Sequence, residues 1–140
     1  MIKLKIPKFI YSSFFSSFKN AVLKKKLQFS CYCNKLVYSI CTYLTLKNYF
    51  HYTFVHYLIK NQKYGSILTI VINYNKDLSS ITKLQNLYKK SRNISFTFKS
   101  LQKIWMKQKR LILLSTSRGI LDIKDALIYK IGGLALMEFY

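Results

Sequence analysis

The chain has 140 residues, of which 24 are Lys or Arg and only four are Asp or Glu, so its formal net charge is +20. Hydrophobic residues make up 51% of the sequence and aromatic residues 16%. This composition excludes a disordered polycationic tail, because such tails lack apolar side chains to bury. A compact chain with this surplus of cations repels itself unless a polyanion such as nucleic acid neutralises it. We therefore expect a folded nucleic-acid-binding protein of one domain or two small lobes.

Two amphipathic helices and a short strand are predicted in the first third of the chain. Apolar side chains recur at helical spacing over residues 10–25, and residues 27–33 alternate as in a half-buried strand. Asn34 is a good N-cap for a second helix, which Lys47-Asn48 ends, because Asn tolerates the left-handed backbone conformation. The apolar stripe of this second helix consists of Leu36, Ile40 and Leu44, widened by Val37 and Cys41.

The middle of the chain predicts strands and one turn of helix. Residues 49–59 and 66–74 are rich in aromatic and β-branched side chains, which predicts a strand pair joined by residues 60–65. Residues 81–88 are expected to form a further strand. In residues 94–98 apolar and polar side chains alternate, which predicts a half-buried strand. Ser100 is expected to cap a short turn of helix that holds Leu101, Ile104 and Trp105.

The last thirty residues carry the most specific pattern. Residues 111–114 predict a buried strand, which Ser115-Thr116-Ser117-Arg118-Gly119 interrupts with hydroxyls, a cation and a glycine. Asp122 can cap a short helix, with Asp125 three positions on, and Gly132-Gly133 is expected to end that helix. Residues 134–140 predict a closing strand.

This order of strand, hydroxyl loop, helix, Gly-Gly and strand resembles the C-terminus of the universal small-subunit ribosomal protein eight family. In that family STSKG or STSRG is followed at this distance by Gly-Gly and a last strand. The segments around Asn20-Ala21 and Asn34-Lys35-Leu36 resemble the family's N-terminal patterns. The resemblance implies an α+β protein of two small lobes. Residues 1–76 would form an N-terminal lobe of two helices and about three strands, and residues 77–140 a mostly β, rRNA-binding lobe with one short helix.

Two kinds of RNA contact are expected. Lysines neutralise phosphates without reading sequence, whereas hydroxyls can bond 2′-hydroxyls and base edges. By themselves, the loop hydroxyls fit a plain turn about as well as an RNA contact. The resemblance favours the contact, because the family's hydroxyl loop and Gly-Gly segment bind the central domain of small-subunit rRNA. The predicted RNA-binding residues are Ser115, Thr116, Ser117, Arg118, Gly119, Gly132, Gly133, Lys24, Lys25, Lys26, Lys89, Lys90 and Arg92.

The chain departs from the family pattern at three places near this site. Leu134 stands where most members have a glutamate after Gly-Gly. Residues 107–110 replace glycines that precede the strand before the hydroxyl loop. Ser95 replaces a tyrosine, with Phe96 beside it as a substitute for stacking. The class of ligand is unaffected by these changes, although the set of contacts must differ.

Enzymatic and metal sites are not indicated. The four acids form no close pair, and no glycine-rich phosphate-binding pattern occurs, so neither an enzyme, a small-molecule substrate nor a cofactor is expected. Cys31, Cys33 and Cys41 lack the paired spacing of a structural zinc site, so they are interpreted as buried or reduced thiols and no metal is expected.

Residues 36–59 have an alternative interpretation as a membrane-spanning segment. These residues contain a single formal charge, Lys47, over a length that could cross a bilayer. That charge would lie at the centre of the span, at a cost of about 2.5–3.5 kcal/mol, so no membrane partner is expected.

The function expected from the resemblance is that of a structural constituent of the small ribosomal subunit, which binds the central domain of the rRNA and neighbouring ribosomal proteins and supports assembly and translation. Abundant Lys, Asn, Ile, Tyr and Phe with only three Arg are typical of A+T-rich organellar genomes, so a mitochondrial location is expected, with the plastid as its alternative. Two rival functions are a non-ribosomal organellar RNA-binding or maturation factor and a basic membrane-associated protein.

Overall fold

The computed structural model describes residues 10–60, 63–74, 84–88, 93–108 and 110–139. The chain divides into two compact units, Met1–Ser79 and Ser80–Tyr140. Helices and antiparallel sheets are mixed in an α+β fold, with a β-rich C-terminal part, which confirms the predicted class. Each unit is built around its own sheet.

The N-terminal unit places two helices on one face of a three-stranded antiparallel sheet. Its elements are α1 (Ile10–Leu23), β1 (Gln28–Tyr32), α2 (Lys35–Leu46), β2 (Phe50–Lys60) and β3 (Lys63–Ile72). The strand order is β1-β3-β2, so β2 and β3 form a hairpin, and β3 also pairs with β1. The strands of the hairpin extend into residues 60–65, which were expected to be a loop. The loop prediction is therefore wrong for Lys60 and residues 63–65, because register pairing continues to Lys60 opposite Lys63, while residues 61 and 62 lie outside the described residues.

Aromatic side chains fill the space between these helices and the sheet. Phe18 of α1 stacks on Phe29 of β1, with ring centroids 5.7 Å apart, and meets Phe50 of β2 edge-on at 5.3 Å. Phe14 lies beside them, and neither Phe14 nor Phe18 is exposed to solvent. These offset and edge-on arrangements are the favoured ones for aromatic pairs. The helical spacing in the sequence therefore corresponds to the buried face of α1.

Three helices end in the same way, with a residue in the left-handed conformation just past the helix. Lys25, Asn48 and Lys130 have φ values of 50°, 64° and 55°. After each of the three, the amide of the next residue donates to a carbonyl five residues back, as in the Schellman motif. The predicted turn at Asn48 is thus confirmed. The two lysines occupy positions that favour glycine, because a Cβ at positive φ is strained.

The C-terminal unit is a five-stranded antiparallel sheet with two helices. The elements of this unit are β4 (Leu84–Asn86), β5 (Ser95–Phe96), α3 (Phe98–Lys107), β6 (Leu111–Thr116), β7 (Gly119–Asp122), α4 (Ile123–Ile128) and β8 (Gly133–Phe139). Strand β8 is central, since it pairs with β6 on one side and with β4 and β5 on the other, while β7 pairs with β6. A core cluster joins helices and sheet through Leu101, Ile112, Leu114, Ile123, Ala126 and Ala135.

Several local predictions in this unit require correction. The N-cap of α3 is Thr97, whose hydroxyl accepts from the amide of Ser100, so the predicted cap Ser100 lies inside the first turn. The strand expected over residues 94–98 is correspondingly reduced to two residues. Helix α4 ends at Ile128 with Tyr129 as its C-cap, and Lys130 follows in the left-handed conformation, two residues before the Gly-Gly pair that was expected to end the helix. The predicted cap Asp122 is confirmed, because its carboxylate accepts from the amide of Asp125 at 2.8 Å.

Candidate nucleic-acid interface

The hydroxyl segment forms the tip of a β-hairpin. Ser117 and Arg118 form the turn between β6 and β7, and Thr116 pairs with Gly119 across it. Gly119 has φ of +95°, whereas the two turn residues have negative φ, which is the pattern of a type I turn followed by a glycine bulge. A Cβ at Gly119 would meet no atom within 4 Å, so lack of space does not require glycine here. Glycine is needed because other residues are strained at this positive φ. The segment was expected to lead directly into a helix, but strand β7 intervenes.

Thr116 is engaged within this hairpin. Its hydroxyl donates to the carbonyl oxygen of Gly119 at 2.8 Å and accepts from the amide of Arg118 at 3.2 Å. The hydroxyl therefore closes the turn and has only its remaining acceptor capacity for a ligand. Ser117 and Arg118, by contrast, are exposed at the tip. The most accessible hydroxyl of the segment is that of Ser117.

The Gly-Gly segment lies against this hairpin because β8 pairs with β6. A Cβ on Gly133 would lie 2.6 Å from the carbonyl oxygen of Ser115 and 2.8 Å from the methyl carbon of Thr116. A Cβ on Gly132 would lie 2.2 Å from the carbonyl oxygen of Phe96. All three distances are shorter than real Cβ contacts, so both glycines are required by close packing of backbone. The structure thus brings the two predicted segments together at one end of the sheet.

One row of residues across this sheet contains two of the departures noted in the sequence. Leu134 pairs with Ser95 of β5 on one side and with Ser115 of β6 on the other. Residues opposite one another in a ladder share a face, so these three side chains are neighbours. Ser95 is exposed, while Ser115 and Leu134 are half-buried. The row offers two hydroxyls flanking an apolar side chain beside the hairpin.

An aromatic ring accompanies the hairpin tip. The guanidinium carbon of Arg118 lies 4.7 Å from the ring centroid of Tyr129, at the C-terminal end of α4. Tyr129 is about half exposed. The ring restrains a cation that would otherwise be a mobile surface side chain. Tyr129 cannot be recognised as part of the site from the spacing of residues in the sequence, because its contact with Arg118 depends on how α4 packs beside β7.

The predicted lysines fall in different parts of the chain. Lys24, Lys25 and Lys26 are exposed at the C-terminal end of α1, in the N-terminal unit, where their positive charge also suits the helix dipole. Lys89, Lys90 and Arg92 lie outside the described residues. The structure therefore brings the hairpin and the Gly-Gly segment together, whereas the α1 lysines belong to another unit.

The acidic side chains in the described residues are buried or half-buried. Asp122 is buried as the cap of α4, and Glu138 is buried in β8, where the Arg110 guanidinium donates to its carboxylate at 2.9 Å. Asp125 is half-buried in the first turn of α4. Cations are therefore left to dominate the surface potential. The Arg110–Glu138 pair was not predicted, although a lone acid inside an apolar strand does signal a buried partner.

This geometry accords with the comparison against protein families. The family model of ribosomal protein S8 matches residues 10–140. The chain belongs to the ribosomal protein S8 family. S8 proteins are structural proteins of the small ribosomal subunit, with rRNA and other ribosomal proteins as partners, and the family is not one of enzymes. No curated protein matches the chain.

The S8 chain keeps its cysteines reduced and two of them buried. Cys31 and Cys41 are buried, Cys33 is half-buried, and all three are free thiols. Burial, reinforced by the neighbouring Cys33, raises the pKa of Cys31 to about 12, and burial also raises the pKa of Cys41. Such thiols are poor nucleophiles and poor metal ligands, because both roles need the thiolate. Within the described part of the chain, no group of three or more His, Cys, Asp or Glu could hold a metal ion.

Residues 36–59, the alternative membrane-spanning segment, contain both helix and strand. Residues 36–59 comprise most of α2, the turn at Asn48 and nearly all of β2. Among the described residues there is no helix with the length and apolar character needed to cross a membrane.

Proposed function

We propose that this S8 chain binds the central domain of small-subunit rRNA in the mitochondrial ribosome, through the β6–β7 hairpin and the adjoining start of β8. The supporting observation is the convergence of Ser115, Ser117 and Gly133 at one end of the sheet, in a chain that matches the S8 family almost throughout. Hydroxyls at this end suit 2′-hydroxyls and minor-groove base edges.

In this proposal each predicted residue has a defined contribution. Ser117 donates or accepts at the RNA, whereas Thr116 holds the turn that presents it. Arg118, whose guanidinium carbon lies over the ring of Tyr129, donates from its N–H groups to a phosphate. Ser115, Gly119, Gly132 and Gly133 shape the backbone of the site. Phosphate neutralisation without sequence preference is assigned to Lys24, Lys25, Lys26, Lys89, Lys90 and Arg92.

The test of site recognition compares Ser117→Ala with Ser16→Ala, an exposed serine on α1. Affinity is measured for a central-domain transcript of small-subunit rRNA and for an unrelated RNA duplex of equal length. We expect Ser117→Ala to lose about 1–3 kcal/mol on the central-domain RNA only, as for other polar base contacts. Ser16→Ala should change neither affinity. Equal loss on both RNAs for Ser117→Ala would refute recognition by the hairpin.

The phosphate-binding assignment is tested by salt dependence. Lys25→Ala keeps a Cβ at a left-handed residue, so backbone strain is unchanged while one cation is lost. Affinity should fall for both RNAs, and the slope of log K against log salt should flatten by about 0.9. An unchanged slope would remove Lys25 from the contact set.

The mitochondrial assignment rests on composition and is tested by fractionation. The chain should co-sediment with mitochondrial small subunits after a moderate salt wash. Co-sedimentation with plastid subunits would change the organelle, and absence from mature subunits would indicate a maturation factor instead.

A further inference from the structure

Among the residues of the N-terminal unit that the structure describes, no helix covers one of the two faces of the sheet. Both helices pack on the opposite face, around Phe18, Phe29 and Phe50. The uncovered surface, here called the open face, contains three cross-strand rows. They are Tyr52–Val71–Gln28, Phe54–Thr69–Ser30 and His56–Ile67–Tyr32.

A β-bulge determines that aromatic rings occupy this face. Phe50 pairs with Ile72, but Tyr52 pairs with the adjacent residue Val71, so the register shifts at His51. Without the extra residue, Phe50 and Tyr52 would lie on the same side of the sheet. The bulge leaves Phe50 in the core at 1% exposure and turns Tyr52 outward at 52%. Bulges commonly redirect side chains in this way near functional surfaces.

The two rings on the edge strand are neighbours. Tyr52 and Phe54 lie with ring centroids 5.2 Å apart, and Phe54 is 50% exposed. Beside Phe54 in the same row, the hydroxyls of Ser30 and Thr69 are hydrogen-bonded at 3.2 Å. The open face therefore combines exposed π surfaces with hydroxyl donors and acceptors. Unpaired nucleobases are recognised by this combination, with rings stacking on bases and hydroxyls reaching their edges.

Charge favours RNA over a protein as the occupant. Residues 1–79 contain twelve lysines and a single acid, Asp77, so the unit attracts a polyanion. We propose that the open face stacks unpaired nucleotides of single-stranded RNA on Tyr52 and Phe54. This inference rests on the proposed rRNA-binding function and adds a second contact, which is distinct from the β6–β7 hairpin and insensitive to base sequence.

The test replaces both rings in the full chain by threonine, as Tyr52→Thr with Phe54→Thr. Threonine keeps the preference for strand while removing the stacking surface. Affinity for a short fluorescent oligouridylate is measured by anisotropy. Base stacking on aromatic rings contributes about fivefold or more per ring, so the double variant should lose about 25-fold or more. Because no charge is removed, the salt slope should not change.

Two controls separate stacking from misfolding. Tyr57 is 79% exposed on the same strand but lies on the other face by register, so Tyr57→Thr should alter affinity by less than about twofold. Phe54→Tyr keeps a ring and should retain binding. Full affinity in the double variant, or an equal loss in Tyr57→Thr, would overturn the proposal. Full oligouridylate affinity combined with loss of the double variant from purified small subunits would assign the open face to a protein contact instead.

This result is independent of the hairpin test. The double ring variant should preserve the preference for central-domain RNA over unrelated duplex, whereas Ser117→Ala should abolish much of it. If the wild-type chain bound central-domain RNA and unrelated duplex equally well, the proposed function would be contradicted. Loss of oligouridylate binding in the ring variant alone supports the open face.

Discussion

Replacing Gly132 by alanine should strongly destabilise the C-terminal unit. The new Cβ would lie 2.2 Å from the carbonyl oxygen of Phe96 and 3.0 Å from the Cα of Thr97. Ordinary contact begins at 3.4 Å, so the backbone of β5 would have to withdraw by more than 1 Å. That backbone is fixed by pairing with β8 and by the N-cap of α3. We expect a loss of about 3 kcal/mol in the free energy of unfolding, a large fraction of what a small domain possesses.

The assay is urea unfolding followed by tryptophan fluorescence, because the single tryptophan, Trp105, lies in α3 of the same unit. Gly119→Ala is the matched comparison, since its Cβ would meet no atom but would be strained at φ +95°, at a cost of about 1–2 kcal/mol. Gly132→Ala should therefore unfold at lower urea than Gly119→Ala. If Gly132→Ala matched the wild type within about 0.5 kcal/mol, the packing argument would be refuted.

Three further outcomes follow from the fold. Lys130→Gly should raise the free energy of unfolding by about 0.5–1 kcal/mol, because it relieves a side chain at positive φ, and no rise in the urea midpoint would contradict this. Arg110→Met should cost about 1–3 kcal/mol in the free energy of unfolding, because it leaves the buried Glu138 carboxylate without its cation, and a urea midpoint equal to that of the wild type would exclude this cause. Folding raises the pKa of Cys31 from 9.0 to about 12, so the folded state favours the protonated thiol. The contribution of this thiol to the free energy of unfolding is therefore complete at neutral pH and is lost as the pH rises from 9.0 to about 12. Iodoacetamide at pH 8 should accordingly modify native Cys31 and Cys41 far more slowly than the urea-unfolded thiols, and equal rates would disprove their burial.

The glycine prediction also affects how the candidate site can be tested. Gly132 and Gly133 were selected as RNA-binding residues, yet close packing alone is sufficient to require glycine at both. Weaker RNA binding in a glycine variant would therefore not distinguish a lost contact from a displaced strand. Substitution of the exposed Ser117 avoids this ambiguity, because its side chain lies at the tip of the turn.

The sequence by itself determined the features that depend on near neighbours along the chain. Helical periodicity located α1 and α2, the caps Asn34 and Asp122 were read from residue type, and Asn48 was read as a left-handed residue. The spacing of the hydroxyl segment and the Gly-Gly pair was enough to indicate the family. These signals are local because a cap, a helical stripe or a turn involves residues only a few positions apart.

Only the tertiary structure decided features in which distant segments meet. The left-handed residue that follows α1 and α4 is a lysine, Lys25 and Lys130 respectively, although residue preference alone would favour glycine there. Gly132-Gly133 was expected to end a helix, but because β8 pairs with β6, the backbone of Gly133 packs closely against the carbonyl of Ser115. A one-residue bulge placed Tyr52 on the open face, whereas uninterrupted alternation from Phe50 would have placed it in the core. In each case register and packing, which no short stretch of sequence encodes, overrode local preference.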